Sequence, residues 1–326
     1  MTMSNFVKSK KRELVVIVAI CIMACIFTIL NPIYMTGKNF LSIMQQATIN
    51  GILAIGMTYA IISGGIDLSI GCTFAIVIVT VGKMTVSGLN PVLAILLGIL
   101  LGAAMGAING LLITKMKLQP FIATLGTMSV YRGIAYVVTG GWPVLDIPDA
   151  FRTLLSKRIS SLGGVNIYMF IFFAVAIVAG IVLAKTKFGN YIYAVGGNEE
   201  AAKLSGVNVD RAKIKAYAVT GVCAAIAGMI QLASLGTGEP TAGSGYELDA
   251  IAAAAIGGTR MAGGKGTILG TVFGAILLAA LKIGLIVLNV DTFWQYIVTG
   301  IIIIIAAYFE FIQEKFASIV AKKEVK

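Results

Sequence analysis

The sequence contains no histidine and few acidic residues. Asp and Glu number 14 among 326 residues, against 25 Lys and Arg, and charged residues make up only 12% of the chain. Without histidine, the chain lacks the commonest metal ligand and the usual acid–base group at neutral pH. We therefore expect no metal site, no cofactor and no catalytic residue, and the chain is predicted not to be an enzyme.

Cysteine is also scarce, and Cys21, Cys25, Cys72 and Cys223 all lie within apolar runs. A free cysteine in such a run packs as a small hydrophobic residue, so we expect no disulfide. Hydrophobic residues make up 58% of the chain, and the mean hydropathy is +0.96. Because a soluble domain cannot cover that much hydrocarbon, the composition predicts an all-α, polytopic membrane protein.

Apolar runs recur along the whole chain, which is predicted to form a single transmembrane domain, residues 1–326. A helix needs about 20 residues to cross a hydrocarbon core of about 30 Å. About ten spans are predicted, at 14–30, 44–63, 66–86, 92–114, 120–139, 165–184, 214–235, 248–259, 266–288 and 292–309. The eighth is too short to cross alone, and the first is longer than the apolar part of a signal peptide, so we expect it to be retained.

Lysine and arginine are distributed unequally between the two sides of this arrangement. With the N-terminus inside the cell, about 18 of them fall in inside segments and about 5 in outside segments. Positive residues collect on the cytoplasmic side, so both termini and the polar segment 185–213 are predicted to be cytoplasmic. Segments 140–164 and 236–247 are then outside. The positive residues form no stripe with interleaved aromatic residues, so nucleic acid is not an expected partner.

Glycine recurs at every fourth position in two predicted spans, from Gly98 to Gly110 and from Gly266 to Gly274. This spacing lines one face of a helix with hydrogen atoms and lets a neighbouring backbone approach closely. We therefore expect tight helix packing along both faces.

The segment Ser63–Gly71, SGGIDLSIG, has a short echo at Ile256–Gly264, IGGTRMAGG. In this alignment Gly64 is matched by Gly257, and Gly65 by Gly258. Transporters with duplicated halves often break their helices at paired, glycine-interrupted segments. The echo therefore indicates a broken helix at each place.

A short polar helix is predicted inside the segment 185–213. Asn198 can accept hydrogen bonds from the first free amides, and Gly206 can end the helix in a left-handed turn. So short a helix is marginal alone in water, so it either rests on its own protein or docks into a groove of a cytoplasmic partner. Its small, smooth face is predicted to comprise Ala201, Ala202 and Leu204. The candidate coupling residues are Asn198, Glu199, Glu200, Ala201, Ala202, Lys203, Leu204, Ser205 and Gly206.

Four stretches in the same order resemble the permease subunits of ABC-type monosaccharide importers, and ribose permeases most closely. They are Ser63–Gly71, Phe121–Leu125 (FIATL), Tyr191–Val209 (YIYAVGGNEEAAKLSGVNV), and Pro240–Ala253 together with Ala262–Thr267. The resemblance covers nearly the whole chain apart from both tails, and residues 140–164 match least well.

This resemblance implies a permease domain that forms the path of a monosaccharide across the bacterial cytoplasmic (inner) membrane. Ribose is the expected cargo, with other pentoses or hexoses as alternatives. It also implies a homodimer, a separate cytoplasmic ABC ATPase and an extracytoplasmic sugar-binding protein. Residues 198–206 would then be the coupling helix that sits in a groove of the ATPase.

Polar residues in or beside the apolar runs are candidates for the sugar path or for the broken helices. An ionised Asp67 is costly in a membrane, so it is expected either to cap a buried turn or to face the sugar. Arg132 is expected either to reach the outer headgroups or to line the pore. The full candidate set is Gly64, Gly65, Asp67, Ser69, Thr124, Thr127 and Arg132.

An acidic group precedes the eighth predicted span, at its outer end. Glu239, Tyr246, Glu247 and Asp249 are expected either to contact basic residues of the sugar-binding protein or to cap the helix. No phosphate-binding loop is predicted, because Lys265 would need glycine at Thr259 and serine or threonine at Gly266. ATP hydrolysis is therefore expected from a partner.

Two other functions remain open from the sequence. A transporter driven by an ion gradient usually carries several acids or histidines at mid-membrane. An intramembrane enzyme would need paired carboxylates or a nucleophile beside a base. The sequence supplies little of either.

Overall fold

Helices make up most of the computed structural model, which describes residues 3–159, 164–291, 293–302 and 304–305, with side chains from residue 13 onward. The first half comprises α1 (Met3–Leu30), a 3-10 turn (Pro32–Met35), α2 (Gly37–Ile62), α3 (Ile70–Val86), α4 (Pro91–Thr114) and α5 (Pro120–Thr139). The second comprises α6 (Asp149–Ser156), strands β1 (Arg158–Ile159) and β2 (Val165–Asn166), α7 (Ile167–Lys185), α8 (Lys187–Gly197), α9 (Glu199–Leu204), α10 (Val209–Leu235), α11 (Tyr246–Ile256) and α12 (Ile268–Val287). A shorter apolar helix, α13, spans Phe293–Ile302.

Helix ends follow local sequence signals. Asn90 caps α4 by accepting a hydrogen bond from the Val92 amide at 2.9 Å, and proline occupies the first turn of both α4 and α5. Gly140, at φ 66°, and Gly236, at φ 72°, end α5 and α10 in the left-handed conformation that glycine adopts without steric cost. The apolar runs between such signals therefore have defined beginnings and ends.

The predicted all-α, polytopic architecture is confirmed. Seven helices of the described chain are long and apolar enough to cross a membrane: α1, α2, α4, α5, α7, α10 and α12. Helices α3, α11 and α13 also coincide with predicted spans but are shorter. Ten complete crossings and cytoplasmic termini stay predictions, and the end of the tenth predicted span, up to residue 309, lies outside the described residues.

Four small elements were not predicted from the hydrophobic pattern. Helix α6 and strand β1 lie in the segment 140–164, where only a loop was expected, and strand β2, antiparallel to β1, directly follows it. Phe151 anchors α6 with none of its surface exposed. Helix α8 precedes α9 in the polar loop. These elements are too short for periodicity to reveal, and their stability comes from packing.

Helix α2 lies at the centre of the bundle, and every residue from Asn50 to Ile62 is buried. It packs against α10, α11 and α12, while α10 also packs against α4. Thr58 of α2 and Thr271 of α12 share a hydrogen bond of 2.7 Å. Helix α2 is thus the buried axis around which α10, α11 and α12 are arranged.

The close packing predicted from glycine spacing is confirmed on both faces. A Cβ atom added to Gly106 of α4 would lie 2.1 Å from the carbonyl oxygen of Tyr217 in α10. One added to Gly274 of α12 would lie 2.1 Å from the carbonyl oxygen of Ala253 in α11. Real Cβ atoms do not approach so closely, so these helix pairs require glycine at the contact.

Candidate translocation and coupling site

Helix α9 is the tip of the polar loop between α7 and α10. The Asn198 side chain accepts a hydrogen bond from the Ala201 amide at 2.9 Å. Gly206, at φ 82°, lets the next amide, that of Val207, donate to the Ala202 carbonyl at 3.0 Å. The helix predicted over this segment is therefore present, with its cap and its left-handed end.

One face of α9 rests on its own protein. Ala202 is only 5% exposed and packs with Val195, Val209 and Ala212. Leu204, in contrast, is 90% exposed. The prediction that Ala201, Ala202 and Leu204 share one face is therefore wrong at Ala202. Ala202 faces the protein, whereas Ala201 and Leu204 face outward. The other outward residues of the segment are Glu199, Glu200, Lys203 and Ser205.

An ion pair closes the loop around α9. The Lys213 amine lies 2.5 Å from a carboxylate oxygen of Glu199, and the Glu199 side chain is 55% exposed. The Lys213 side chain is only 14% exposed, so this pair is open to water on the Glu199 side alone. The pair and the buried contacts of Ala202 together hold α9 on the rest of the chain.

The end of α8 meets the ends of two other broken segments through main-chain atoms. A Cβ atom at Gly196 would lie 1.7 Å from the Ile62 carbonyl oxygen and 2.7 Å from the Gly264 amide nitrogen. The Gly264 amide donates to the Ile62 carbonyl at 3.0 Å. We call this contact of Ile62–Gly64, Gly196–Gly197 and Gly263–Gly264 the glycine junction.

A side-chain hydrogen bond ties α8 to the same place. The Tyr193 hydroxyl donates to the Gly266 carbonyl at 2.7 Å. Burial raises the pKa of Tyr193, so the hydroxyl keeps its proton for this bond. The polar loop is therefore attached to the end of α2 and to the connection between α11 and α12.

Helices α2 and α11 end in the same geometry. Gly64 has φ 87° and Gly258 has φ 86°. The following amides, of Gly65 and Thr259, reach back to the carbonyls of Ala60 and Ala254 at 3.1 and 2.9 Å. The structural counterpart of Gly64 is therefore Gly258, one residue later than the Gly257 matched by the sequence echo. The sequence alignment placed the repeat one residue too early because Gly257 and Gly258 are both glycine.

Asp67 caps the turn between α2 and α3. Its carboxylate is buried, with the residue 1% exposed, and accepts hydrogen bonds from the Ser69 amide at 3.0 Å and the Ser69 hydroxyl at 2.7 Å. Asn109 of α4 donates to the same oxygen at 3.2 Å. The contact of Asn109 with Asp67 was not predicted from the sequence. Its only indication there is an amide side chain beside Gly110 in the glycine-lined helix.

The two candidate threonines of α5 are both buried. Thr124 donates to the Ile66 carbonyl at 3.2 Å and so joins the turn that holds Asp67. Thr127 donates to the Thr124 carbonyl at 3.2 Å, within its own helix. Gly65 also belongs to this turn, since a Cβ there would lie 2.3 Å from the Tyr217 hydroxyl.

Asp249 lies inside the bundle rather than at an outer entrance. The Lys282 amine of α12 lies 2.5 Å from its carboxylate, and Asn50 donates to the same oxygen at 3.4 Å. Asn50 is near the middle of α2, so Asp249 is at mid-depth and cannot contact a soluble partner. The expected binding-protein contact at Asp249 is therefore wrong. Lys282 was recognisable only as a lone basic residue in an apolar run.

The chain between α10 and α11 descends into the bundle, and we call residues 236–247 the re-entrant segment. It begins beside Val144, which pairs with Gly238 in an isolated β-bridge. It ends beside Gly71 at the start of α3, where an added Cβ would lie 2.2 Å from the Gly243 carbonyl. Of the predicted acidic group, Glu239 is exposed, Tyr246 and Glu247 are partly exposed, and Asp249 is buried.

Arg132 holds this segment in place. Its guanidinium donates to the Pro240 carbonyl at 2.6 Å and to the Ala242 carbonyl at 2.9 Å. Its two predicted roles, reaching the outer headgroups or lining the pore, stay predictions. Tyr246 packs on Phe74, with ring centroids 5.4 Å apart, and Glu247 lies beside Gly71.

Two helices that end at matching glycine turns, both joined to one polar loop, indicate a membrane transport protein. Comparison with known proteins gives the particular family. The chain belongs to the family described as branched-chain amino acid transport system / permease component, whose model matches residues 39–307.

Curated relatives align over most of their own length. The chain is 46% identical to the ribose import permease of Bacillus subtilis (strain 168), over 87% of this chain and 88% of that protein. It is 39% identical to the ribose import permease of Escherichia coli (strain K12), over 92% and 94%, and 34% identical to that strain's galactose/methyl galactoside import permease, over 89% and 91%. No solved structure matches the chain. The family resemblance predicted from four motifs is confirmed.

Proposed function

We propose that this chain is the permease subunit of an ABC-type importer that carries ribose across the bacterial cytoplasmic membrane. Relatives named as ribose import permeases, at 46% and 39% identity, support ribose over other monosaccharides. An extracytoplasmic binding protein delivers the sugar, and a separate cytoplasmic ATPase supplies the energy. Two copies of the chain form the path, and neither copy hydrolyses ATP.

The glycine junction carries the coupling part of this proposal. A force applied to α9 passes along α8 to Gly196, which touches the end of α2 and the turn before α12. Flexible side chains would absorb a small displacement, whereas close main-chain contacts transmit it. One movement of the polar loop therefore reaches both broken helices, and nucleotide binding in the partner shifts the balance between outward-open and inward-open forms.

The exposed face of α9 fits a groove on a protein partner. Leu204 is 90% exposed at the end of a short helix whose other outward side chains are polar or small. Burial of an exposed apolar side chain in a pocket lowers the free energy, because its contact with water is removed. The ATPase is the partner that the proposed function requires on this side.

A substitution at Leu204 tests the docking. Leu204→Glu should abolish co-purification of the ATPase, because a carboxylate would have to enter the groove. Met116→Glu is the matched control, since Met116 is 64% exposed in the turn between α4 and α5 and should leave co-purification intact. Equal recovery of the ATPase with both variants would contradict the docking surface.

Two adjacent glycines test the coupling. An added Cβ at Gly196 would collide with main-chain atoms, whereas one at Gly197 would meet nothing within 4 Å. We expect Gly196→Ala to retain the ATPase but lose at least tenfold in sugar uptake, and Gly197→Ala to behave as wild type. Identical uptake by the two variants would remove the junction from the mechanism.

Energy source and orientation have their own measurements. In vesicles containing the assembled importer, ribose uptake should persist when ion gradients are collapsed and stop without ATP. Uptake that follows the ion gradient instead would favour a secondary transporter.

An impermeant amine reagent added to intact cells should leave Lys203 unmodified, since the proposal places α9 in the cytoplasm.

A further inference from the structure

Arg132 and Glu247 carry opposite charges at a depth where hydrocarbon is expected. Arg132 lies seven residues before the end of α5 at Thr139, roughly 10 Å along the helix axis. Its side chain points toward the helix start and therefore deeper, as helical side chains do. Glu247 lies beside Gly71, which is fifteen residues before the end of α3 at Val86, roughly 22 Å.

Both side chains reach the surface of the single chain at this depth. Arg132 and Glu247 are each partly exposed, and their charges interact electrostatically. On α5 the neighbouring Ser129 and Gly133 are exposed, and an added Cβ at Gly133 would meet nothing within 4 Å. Arg132, Glu247 and Ser129 therefore form a polar patch, beside which Val130 and Ile134 of α5 are 57% and 43% exposed.

Lipid is a poor neighbour for such groups. Placing one ionised side chain at the centre of a bilayer costs roughly 2.5–3.5 kcal/mol on insertion scales, and such residues usually face a bundle interior or a water-filled cavity. The outward side of α7 shows the contrast, with Ile177 and Val178 61% and 60% exposed. The surface with Arg132 and Glu247 therefore faces water in the assembled transporter.

We propose that Arg132 and Glu247 form a contact site for the sugar inside the translocation path. The assignment rests on the proposed function, which it deepens by naming residues that touch the cargo. The Arg132 guanidinium has five N–H donors, and the two carbonyls of the re-entrant segment occupy only some of them. The Glu247 carboxylate is a strong acceptor. Neighbouring hydroxyls of a neutral monosaccharide can accept from the first group and donate to the second.

The re-entrant segment links this site to the motion of the helices. Arg132 binds its carbonyls, and the same segment leads into α11, which ends at Gly258 near the glycine junction. A shift of α11 therefore changes the separation of Arg132 and Glu247. The site would bind sugar in one form of the transporter and release it in the other.

Thiol labelling of the assembled importer tests the site. Ser129→Cys, beside Arg132 on the exposed side of α5, is placed in a background whose four native cysteines are replaced by alanine and whose ATP-driven uptake is retained. A charged, membrane-impermeant methanethiosulfonate should modify it at least tenfold faster than Val178→Cys, the control on the outward side of α7. Ribose-loaded binding protein should slow the reaction at Ser129→Cys at least threefold in one nucleotide state.

The outcomes distinguish failure of the proposed sugar site from failure of the proposed function. Labelling of Ser129→Cys no faster than of Val178→Cys in every nucleotide state overturns the site, as does fast labelling that ribose never slows, which would indicate a water-facing contact between two copies. Loss of ATP-driven uptake in the wild-type importer overturns the proposed function instead. Glu247→Gln, present at wild-type amounts, should lower ribose uptake at least tenfold, and normal uptake by this variant also counts against the site.

Discussion

Asp67 and Asp249, the two buried carboxylates in the described part of the chain, are stabilised in different ways. Asp67, between α2 and α3, accepts three hydrogen bonds from neutral groups of Ser69 and Asn109. Asp249, at the start of α11, is paired with the Lys282 amine at 2.5 Å. Asp67 lies three residues after the turn at Gly64, whereas Asp249 lies at the opposite end of α11 from the turn at Gly258. A buried carboxylate is therefore held by neutral donors at one place and by a cation at the other.

The difference predicts unequal responses to the same substitution. At Asp67 an asparagine can keep one acceptor oxygen for all three donors. At Asp249 it removes the partner of a buried cation. The following substitutions test this contrast, ordered by the expected loss of stability.

Asp249→Asn should cause the largest loss. Removing one partner of a buried ion pair typically costs roughly 3–5 kcal/mol, and the lower end applies because the Lys282 side chain retains 18% of its exposed surface. The melting temperature of the detergent-solubilised protein should fall clearly. Asp249→Leu combined with Lys282→Met should recover most of it, because no unpaired charge remains. A double variant as unstable as the single one would contradict the pairing.

Asn109→Leu should cause an intermediate loss. It preserves the approximate volume but removes the donor to Asp67 at 3.2 Å and the donor to the Ser69 hydroxyl at 2.7 Å. A hydrogen bond to a charged group contributes about 1.5–3 kcal/mol. If the melting temperature rises instead, then Asn109 does not stabilise the carboxylate, and Asp67 would have to be neutral in the folded protein.

Asp67→Asn should have the smallest effect, within about 1 kcal/mol, because the three hydrogen bonds to one oxygen survive and no cation loses a partner. The same melting measurement, made beside Asp249→Asn, compares the two sites directly. A drop at Asp67 as large as that at Asp249 would eliminate the contrast.

Local sequence signals predicted much of the fold. Helix α5 was expected at 120–139 and spans Pro120–Thr139, because a proline begins it and a glycine ends it. The cap at Asn198 and the turn at Gly206 were predictable for the same reason: the interacting atoms lie within a few residues.

Contacts between distant segments could not be predicted. Lys282 and Asp249 meet only because α11 and α12 pack side by side, and Asp67 meets Asn109 through the packing of α4. The inward face of α9 depends on what lies beneath Ala202. The descent of residues 236–247 was not predicted either, since polar residues suggested an outside loop and the contacts with Arg132 and Gly71 that reveal it join distant segments.

The glycine junction and the α9 tip depend on sequence to different degrees. The junction is formed by backbone, so a larger residue at Gly196 has to displace main-chain atoms, while Leu204 projects freely from a six-residue helix. Under the proposed function, exchanging residues 199–205 for those of another permease should therefore direct the chain to a different ATPase without redesign of its membrane part. The proposal thus assigns recognition of the ATPase and transmission of its movement to separate parts of one loop.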